Sequence, residues 1–177
     1  MQPTVSLYAI AGIRTANAMR LPVTINGCRL VALLDSGSTH NFIDTKLLRR
    51  LRLVTSAHPT IQVLVANGDR APCHGVAPSV ALTVGTEDFD LRFFGIDLGG
   101  FEAILGVEFL RTLGPILWDF DDLCMTFDRG GRRLLWRGLD SGLHSARHRR
   151  AGHPSGGDHR RAASAGHAPR SVRGGVR

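Results

Sequence analysis

What this 177-residue sequence has little of narrows its chemistry first. It has three cysteines, Cys28, Cys73 and Cys124, far apart and in no C-x-x-C pair. An odd, scattered set argues against a disulfide framework and against structural zinc, and it predicts reduced thiols in a reducing, cytoplasmic compartment. Cys73 and His74 are adjacent, which is poor spacing for two ligands of one metal ion. The N-terminus lacks a basic segment followed by an apolar one, so no signal peptide is expected. No apolar run approaches the length of a membrane span, so no membrane partner is expected.

Acidic residues are scarce at one end only. Residues 1–128 hold 10 Lys and Arg against 13 Asp and Glu, a net of −3, while residues 129–177 hold 12 Arg against 2 Asp, a net of +10. The overall +7 therefore describes the C-terminal stretch, not the surface of a folded domain. From about Asp140 the chain is rich in Gly, Ser, Ala, His and Arg and nearly free of large apolar residues. It cannot bury enough surface to offset its ordering entropy. The expected division is a folded domain over 1–136 and a disordered tail over 137–177. The tail's arginines could make weak phosphate contacts with nucleic acid, but no aromatic residues are interleaved for base stacking.

Within the folded part, short alternating runs dominate. A strand is expected at Val5–Ile10. Met19 to Ile25 and Arg29 to Leu34 flank Asn26-Gly27, a strong signal for a tight hairpin because both residues tolerate positive φ. From Asn41 to Leu53 the apolar period becomes helical, with Asp44 as N-cap. Ile61 to Val65 reads as a strand turning at Asn67-Gly68. Its return arm carries Pro72, which removes a ladder donor and marks an edge. Val80–Val84, Phe89–Ile96 and Ala103–Leu105 follow as strands. Val107 to Leu113 suits one or two helical turns. Ile116–Phe120 and Leu123–Phe127 read as a closing pair, with one more apolar contact at Leu134–Trp136. The expected class is all-β, a small barrel or sandwich with one or two short helices.

The chain is organised around residues 31–42. An apolar run, Val31 to Leu34, ends at Asp35, and Ser36-Gly37-Ser38-Thr39 follow before apolar residues return. This reads as a buried strand delivering one carboxylate into a tight turn. Three interpretations compete: a buried acid satisfied by turn amides, a phosphate-binding turn, and a catalytic carboxylate. The strand followed by D-x-G-S-T resembles the first phosphate motif of the actin, heat-shock ATPase and sugar-kinase superfamily. That fold needs two large α/β domains, for which this chain is too short. Asp140-Ser141-Gly142 repeats the tripeptide without a preceding apolar strand, and is read as chance.

Asp35-Ser36-Gly37 also matches the D-[ST]-G motif of aspartic peptidases. Together with Leu33 to Ile43, Val65-Ala66-Asn67-Gly68 and Ile104-Leu105-Gly106-Val107-Glu108-Phe109-Leu110, the chain resembles the retropepsin-like proteases of gypsy-type LTR retrotransposon polyproteins. The likeness runs from about Leu7 to Phe127. Glu108 stands where that family usually has Asp, and Phe109 where it often has Trp. The resemblance implies a closed barrel of the acid-protease type and a homodimer in which Asp35 of two copies forms one catalytic pair, with no metal or organic cofactor. It implies that Ser36 braces the two turns across the two-fold axis. Gly37 would let the backbone approach the carboxylate, and Ser38 would donate to it. Val65, Ala66, Asn67, Gly68 and Asp69 would form a flap over a polypeptide substrate. Ile104, Leu105 and Gly106 would pack beneath the active-site loop. His40 reads as a turn histidine rather than a base. The alternative is a catalytically silent barrel kept as a dimerisation or peptide-binding module. Without reverse transcriptase, integrase or zinc-knuckle sequence, the chain is expected to be an excised protease, a fragment or a domesticated copy.

Overall fold

The computed structural model describes residues 2–12, 18–56 and 61–139. The elements run β1 (Thr4–Val5), α1 (Leu7–Ile10), β2 (Arg20–Ile25), β3 (Cys28–Leu34), β4 (Phe42–Asp44), α2 (Thr45–Arg50), β5 (Gln62–Val65) and β6 (Arg70–Pro72). After these come β7 (Val76–Val84), β8 (Glu87–Ile96), β9 (Ala103–Leu105), α3 (Val107–Leu110) with a 3-10 turn (Arg111–Leu113), β10 (Ile116–Asp119), β11 (Cys124–Arg129) and β12 (Arg132–Arg137).

Six strands close into a barrel in the order β2-β3-β9-β4-β8-β7, with β2 pairing β7 at Thr24↔Thr83 and Ile25↔Leu82 to complete the ring. Closure removes the exposed edges that a sheet of this size would otherwise present. Asn26 and Gly27 both take positive φ, 48° and 76°, as the two-residue turn between β2 and β3 requires. Pro78 lies inside β7 at a register shift between Ala77 and Val80, where a missing N–H breaks no regular ladder. Two further three-stranded sheets flank the barrel, β1-β5-β6 and β10-β11-β12.

The apolar runs flagged in the sequence are buried on both faces. At the end of β3, Ala32 and Leu34 face the barrel core, while Leu33 faces a second core beneath the β1-β5-β6 sheet. In β9, Ala103 and Leu105 face the first core and Ile104 the second. β3 and β9 run parallel, with Leu33 opposite Ile104 and Leu34 opposite Leu105. Two-sided burial explains why these segments read as continuous rather than alternating apolar runs. Burying each Leu or Ile among them stabilises the fold by about 1.5–3 kcal/mol.

The β10-β11-β12 sheet packs on the barrel through an aromatic cluster. Trp136 lies 4.7 Å from Phe127 edge-to-face and stacks on Phe109 at 6.3 Å, and Phe89 meets Phe109 at 5.0 Å.

Three expectations need correction. Val5–Ile10 is not one strand: β1 stops at Val5, and Ser6 caps a helix by accepting from the Ala9 N–H. Among the described residues the α-helices are thus α1, α2 and α3, all short. The helix after the Asp35 turn begins only at Thr45, because Phe42 to Asp44 pair with both β8 and β9. Asp44 is nonetheless its N-cap, accepting from the Lys46 N–H at 2.9 Å. Leu134–Trp136 belong to a full six-residue strand, β12. Of the expected tail, residues 137–139 are described: Arg137 ends β12, and the Gly138 and Leu139 N–H groups donate to the Leu123 and Arg20 carbonyls at 2.8 and 2.9 Å. The rest of it, with Asp140-Ser141-Gly142, lies outside the described residues. Among the described residues, no helix is long and apolar enough to cross a membrane.

Candidate active site

β3 ends at Leu34, and the Asp35 N–H continues its ladder by donating to the Leu105 carbonyl at 3.0 Å. The chain then turns, with the Ser38 N–H donating back to the Asp35 carbonyl at 3.2 Å. Ser36 and Gly37 are exposed at the tip, while Ser38 is fully buried. The carboxylate is held from both sides. Oδ1 accepts from the Gly37 N–H at 3.0 Å, and Oδ2 accepts from the Ser38 hydroxyl at 2.6 Å. Oδ2 also accepts from the Ser6 hydroxyl at 2.6 Å.

The turn is fastened from below by the segment after β9. The Val107 N–H donates to the Ser38 carbonyl at 2.8 Å, and the Glu108 N–H donates to the Thr39 carbonyl at 3.0 Å. Gly106 lies directly under this loop, where a Cβ would fall 2.6 Å from the Ser38 carbonyl oxygen and against that of His40. Asn41 ties the two segments together in the core. Its Oδ1 accepts from the Gly106 N–H at 3.1 Å, and its Nδ2 donates to the Arg92 carbonyl at 3.2 Å. Asn41 has no exposed surface. Asn41→Leu strands both backbone groups in an apolar core, so it is expected to cost about 2–5 kcal/mol. Urea unfolding measures this as a lowered midpoint at unchanged slope.

His40 points away from general-base work. Its Nδ1 lies 2.7 Å from the Thr39 hydroxyl, and its ring meets Phe94 edge-on at 5.3 Å. Burial pushes its imidazole below the ordinary value; Glu108 pulls the other way and Arg92 adds to the lowering. Glu108 pairs with Arg92 at 2.7 Å, so the acid two residues after Gly106 is engaged in a charge pair.

A cleft of about 520 Å³ opens over Asp35, with Ser6, Tyr8, Ala66, Trp118 and Phe120 among its lining residues. Asp35 is the only acid among the described residues that line it. Ala66 is thus the one residue of the expected flap that reaches the cleft. Val65 is buried, and Asn67, Gly68 and Asp69 are exposed. The turn is closed by the Gly68 N–H donating to the Val65 carbonyl at 2.8 Å and by the Asp69 N–H donating to the Asn67 side chain at 3.0 Å. Only Gly68 takes a positive φ, so this turn differs from the one at Asn26-Gly27. Among the described residues, no cluster of His, Cys, Asp and Glu could hold a metal ion.

Two sets of residues escaped the sequence reading. Ser6 falls inside the strand expected at Val5–Ile10, although a serine ahead of Leu-Tyr-Ala-Ile is also a helix-cap signal. The aromatic rim escaped because nothing local to Tyr8, Trp118 or Phe120 reports their approach to residue 35. Trp118 and Phe120 stack at 5.5 Å, and Tyr8 and Phe120 are 61% and 56% exposed.

A closed six-stranded barrel carrying one Asp-Ser-Gly turn at the mouth of a cleft defines an acid-protease type of fold. The chain belongs to the aspartyl protease family, whose model matches residues 21–109, a span that includes both Asp35 and Gly106. It has a retropepsin-like fold. It is similar to the retroviral protease-like domain of Ddi1 from Leishmania major, at 19% identity over 69% of this chain and 94% of that one, with a TM-score of 0.53. It is also similar to the EIAV protease complexed with the inhibitor HBY-793, at 22% identity over 56% and 91% of the two chains, with a TM-score of 0.46. A retropepsin-like aspartic protease from Rickettsia conorii matches at 13% identity over 58% of this chain and 76% of that one, with a TM-score of 0.42. No curated protein matches the sequence.

Proposed function

We propose that this chain is an aspartic endopeptidase whose active site is completed by a second copy of itself. The observation that carries this reading is a single carboxylate, Asp35, held by three donors at the mouth of a cleft that no other described acid lines. Hydrolysing a peptide bond with water takes two carboxyl groups. One accepts a proton from the attacking water, and the other donates to the carbonyl oxygen. Two carboxyls about 3 Å apart cannot both ionise, so a pair shares one proton and divides these roles. It titrates as a unit. A two-fold axis through the turns brings Asp35 of each copy to the same place.

In the reaction, the water oxygen bonds to the carbonyl carbon as its proton passes to the ionised carboxylate. The neutral carboxyl protonates the carbonyl oxygen. The resulting diol collapses as the neutral carboxyl gives its proton to the amide nitrogen, the carboxylate takes a proton from a diol hydroxyl and the C–N bond breaks, leaving the acid and amine products and one proton on the pair. Ser36, exposed at the turn tip, is available to brace the partner turn. Residues 65–69 act as a flap that holds an extended polypeptide through backbone hydrogen bonds. The motifs favour a retrotransposon polyprotein as the native substrate. The three free cysteines favour a cytoplasmic setting.

The test is cleavage of a peptide library at mildly acidic pH, with and without pepstatin. Activity per chain should fall on dilution as the dimer dissociates, and sedimentation should report the same midpoint. An active monomer would overturn the half-site. A folded dimer that cleaves nothing would leave the silent peptide-binding barrel as the correct reading.

A further inference from the structure

We infer that Ser6 is a positioning residue that, together with Ser38, closes the Asp35 Oδ2 to protonation and leaves Oδ1 to carry the pair's shared proton. The inference rests on the proposed aspartic mechanism and deepens it. It follows from where each hydroxyl proton can go. The Ser6 oxygen accepts the Ala9 N–H at 3.2 Å, and the Ser38 oxygen accepts the Ser6 N–H at 3.1 Å. A serine hydroxyl has one proton to donate, and a backbone amide now occupies an oxygen lone pair on each. Both protons therefore point to Asp35 Oδ2, at 2.6 Å in each case. A proton placed on Oδ2 would face two donors, and one of the hydroxyls would have to turn its own proton away before it could accept. Oδ1 receives only the Gly37 N–H and keeps a lone pair free.

Ser6 also connects this carboxylate to the sheet that carries the expected flap. It follows directly on β1, which runs parallel to β5 with Thr4 opposite Leu64 and Val5 opposite Val65. The Ala66 N–H donates to the Val5 carbonyl at 3.0 Å. One short segment thus binds the base of that hairpin and, one residue later, the carboxylate oxygen.

Two measurements test the assignment, one of which needs no activity. In kinetics, Ser6→Ala is expected to lower kcat roughly 10-fold, the scale of a hydrogen bond to a charged group. KM should stay within about twofold, since the lost bond is to the enzyme's own carboxylate and not to substrate. The acid limb of the kcat/KM profile should move to higher pH, because an ionised pair with fewer donors takes up a proton more readily. Ser6→Thr, which keeps the hydroxyl, should restore all three. In unfolding, Ser6→Ala and Asp35→Ala are combined in a double-mutant cycle, and their losses in urea midpoint should fail to add. Strict additivity overturns the inference, and so does a Ser6→Ala enzyme with wild-type kcat and pH profile. If the wild-type chain cleaves nothing, the cycle alone decides: non-additive losses keep the Ser6–Asp35 link while the proteolytic reading falls.

Discussion

Asp35→Asn is expected to abolish peptide cleavage, lowering kcat/KM by at least about 1,000-fold, or some 4 kcal/mol of transition-state stabilisation. An amide can neither take the proton of the attacking water nor carry the shared proton of the pair, so both halves of the reaction fail at once. The substitution should leave the fold in place. Asn matches Asp in size, and its amide oxygen can still accept from one side of the turn. On the other side its NH2 can donate to a reoriented serine hydroxyl. A urea midpoint close to that of the wild type, measured beside the cleavage rate, separates loss of chemistry from loss of structure. Mixing gives a sharper test. If each site needs one Asp35 from each of two copies, adding the inert variant should reduce activity as the square of the wild-type fraction, because every mixed dimer is dead. A linear fall would mean that one chain holds a complete site.

The parts of this arrangement that sequence alone revealed are those whose signal is local. Asn26-Gly27 reads as a hairpin turn because both residues must adopt positive φ, and both do. Ala32-Leu33-Leu34 and Ala103-Ile104-Leu105 read as buried strands because each carries apolar side chains on both faces, and two cores receive them. What stayed hidden depends on distant partners. Val5 to Ile10 has the look of a strand, yet Val5 and Ala9 are buried while Leu7 and Tyr8 face outward, a helical spacing set once Ser6 caps the turn. Phe42 and Ile43 fall in helical phase with Leu47 and Leu48 but are captured by β8 and β9. Backbone pairing there outweighs a local helical preference. In the candidate site, Asp35, Gly37, Ser38 and Gly106 were legible from the chain. Ser6 was not, because its bond to Asp35 spans 29 residues and is made by the most ordinary of side chains.

Gly106→Ala should be a severely damaging single-methyl change, costing about 3 kcal/mol, the upper end for overpacking a closed core. Backbone torsion is not the reason. Gly106 has φ −92°, which any residue adopts. The reason is space: a Cβ there meets the carbonyl oxygens of Ser38 and His40, which are backbone atoms and cannot rotate away. Lifting the loop to make room would pull Ser38 from the Val107 N–H and Thr39 from the Glu108 N–H. It would also draw the Ser38 hydroxyl off Asp35, so activity should fall with stability. Gly68→Ala is the matched control. Gly68 has φ 95° and nothing within 4 Å of its virtual Cβ, so only backbone strain is added, on the order of 1 kcal/mol. Thermal unfolding of the two variants side by side distinguishes the causes. Equal losses would mean that the loop above Gly106 gives way to the added methyl group at little cost. A much larger loss at Gly106 would mean that the turn holding Asp35 rests on a floor with no room for a methyl group.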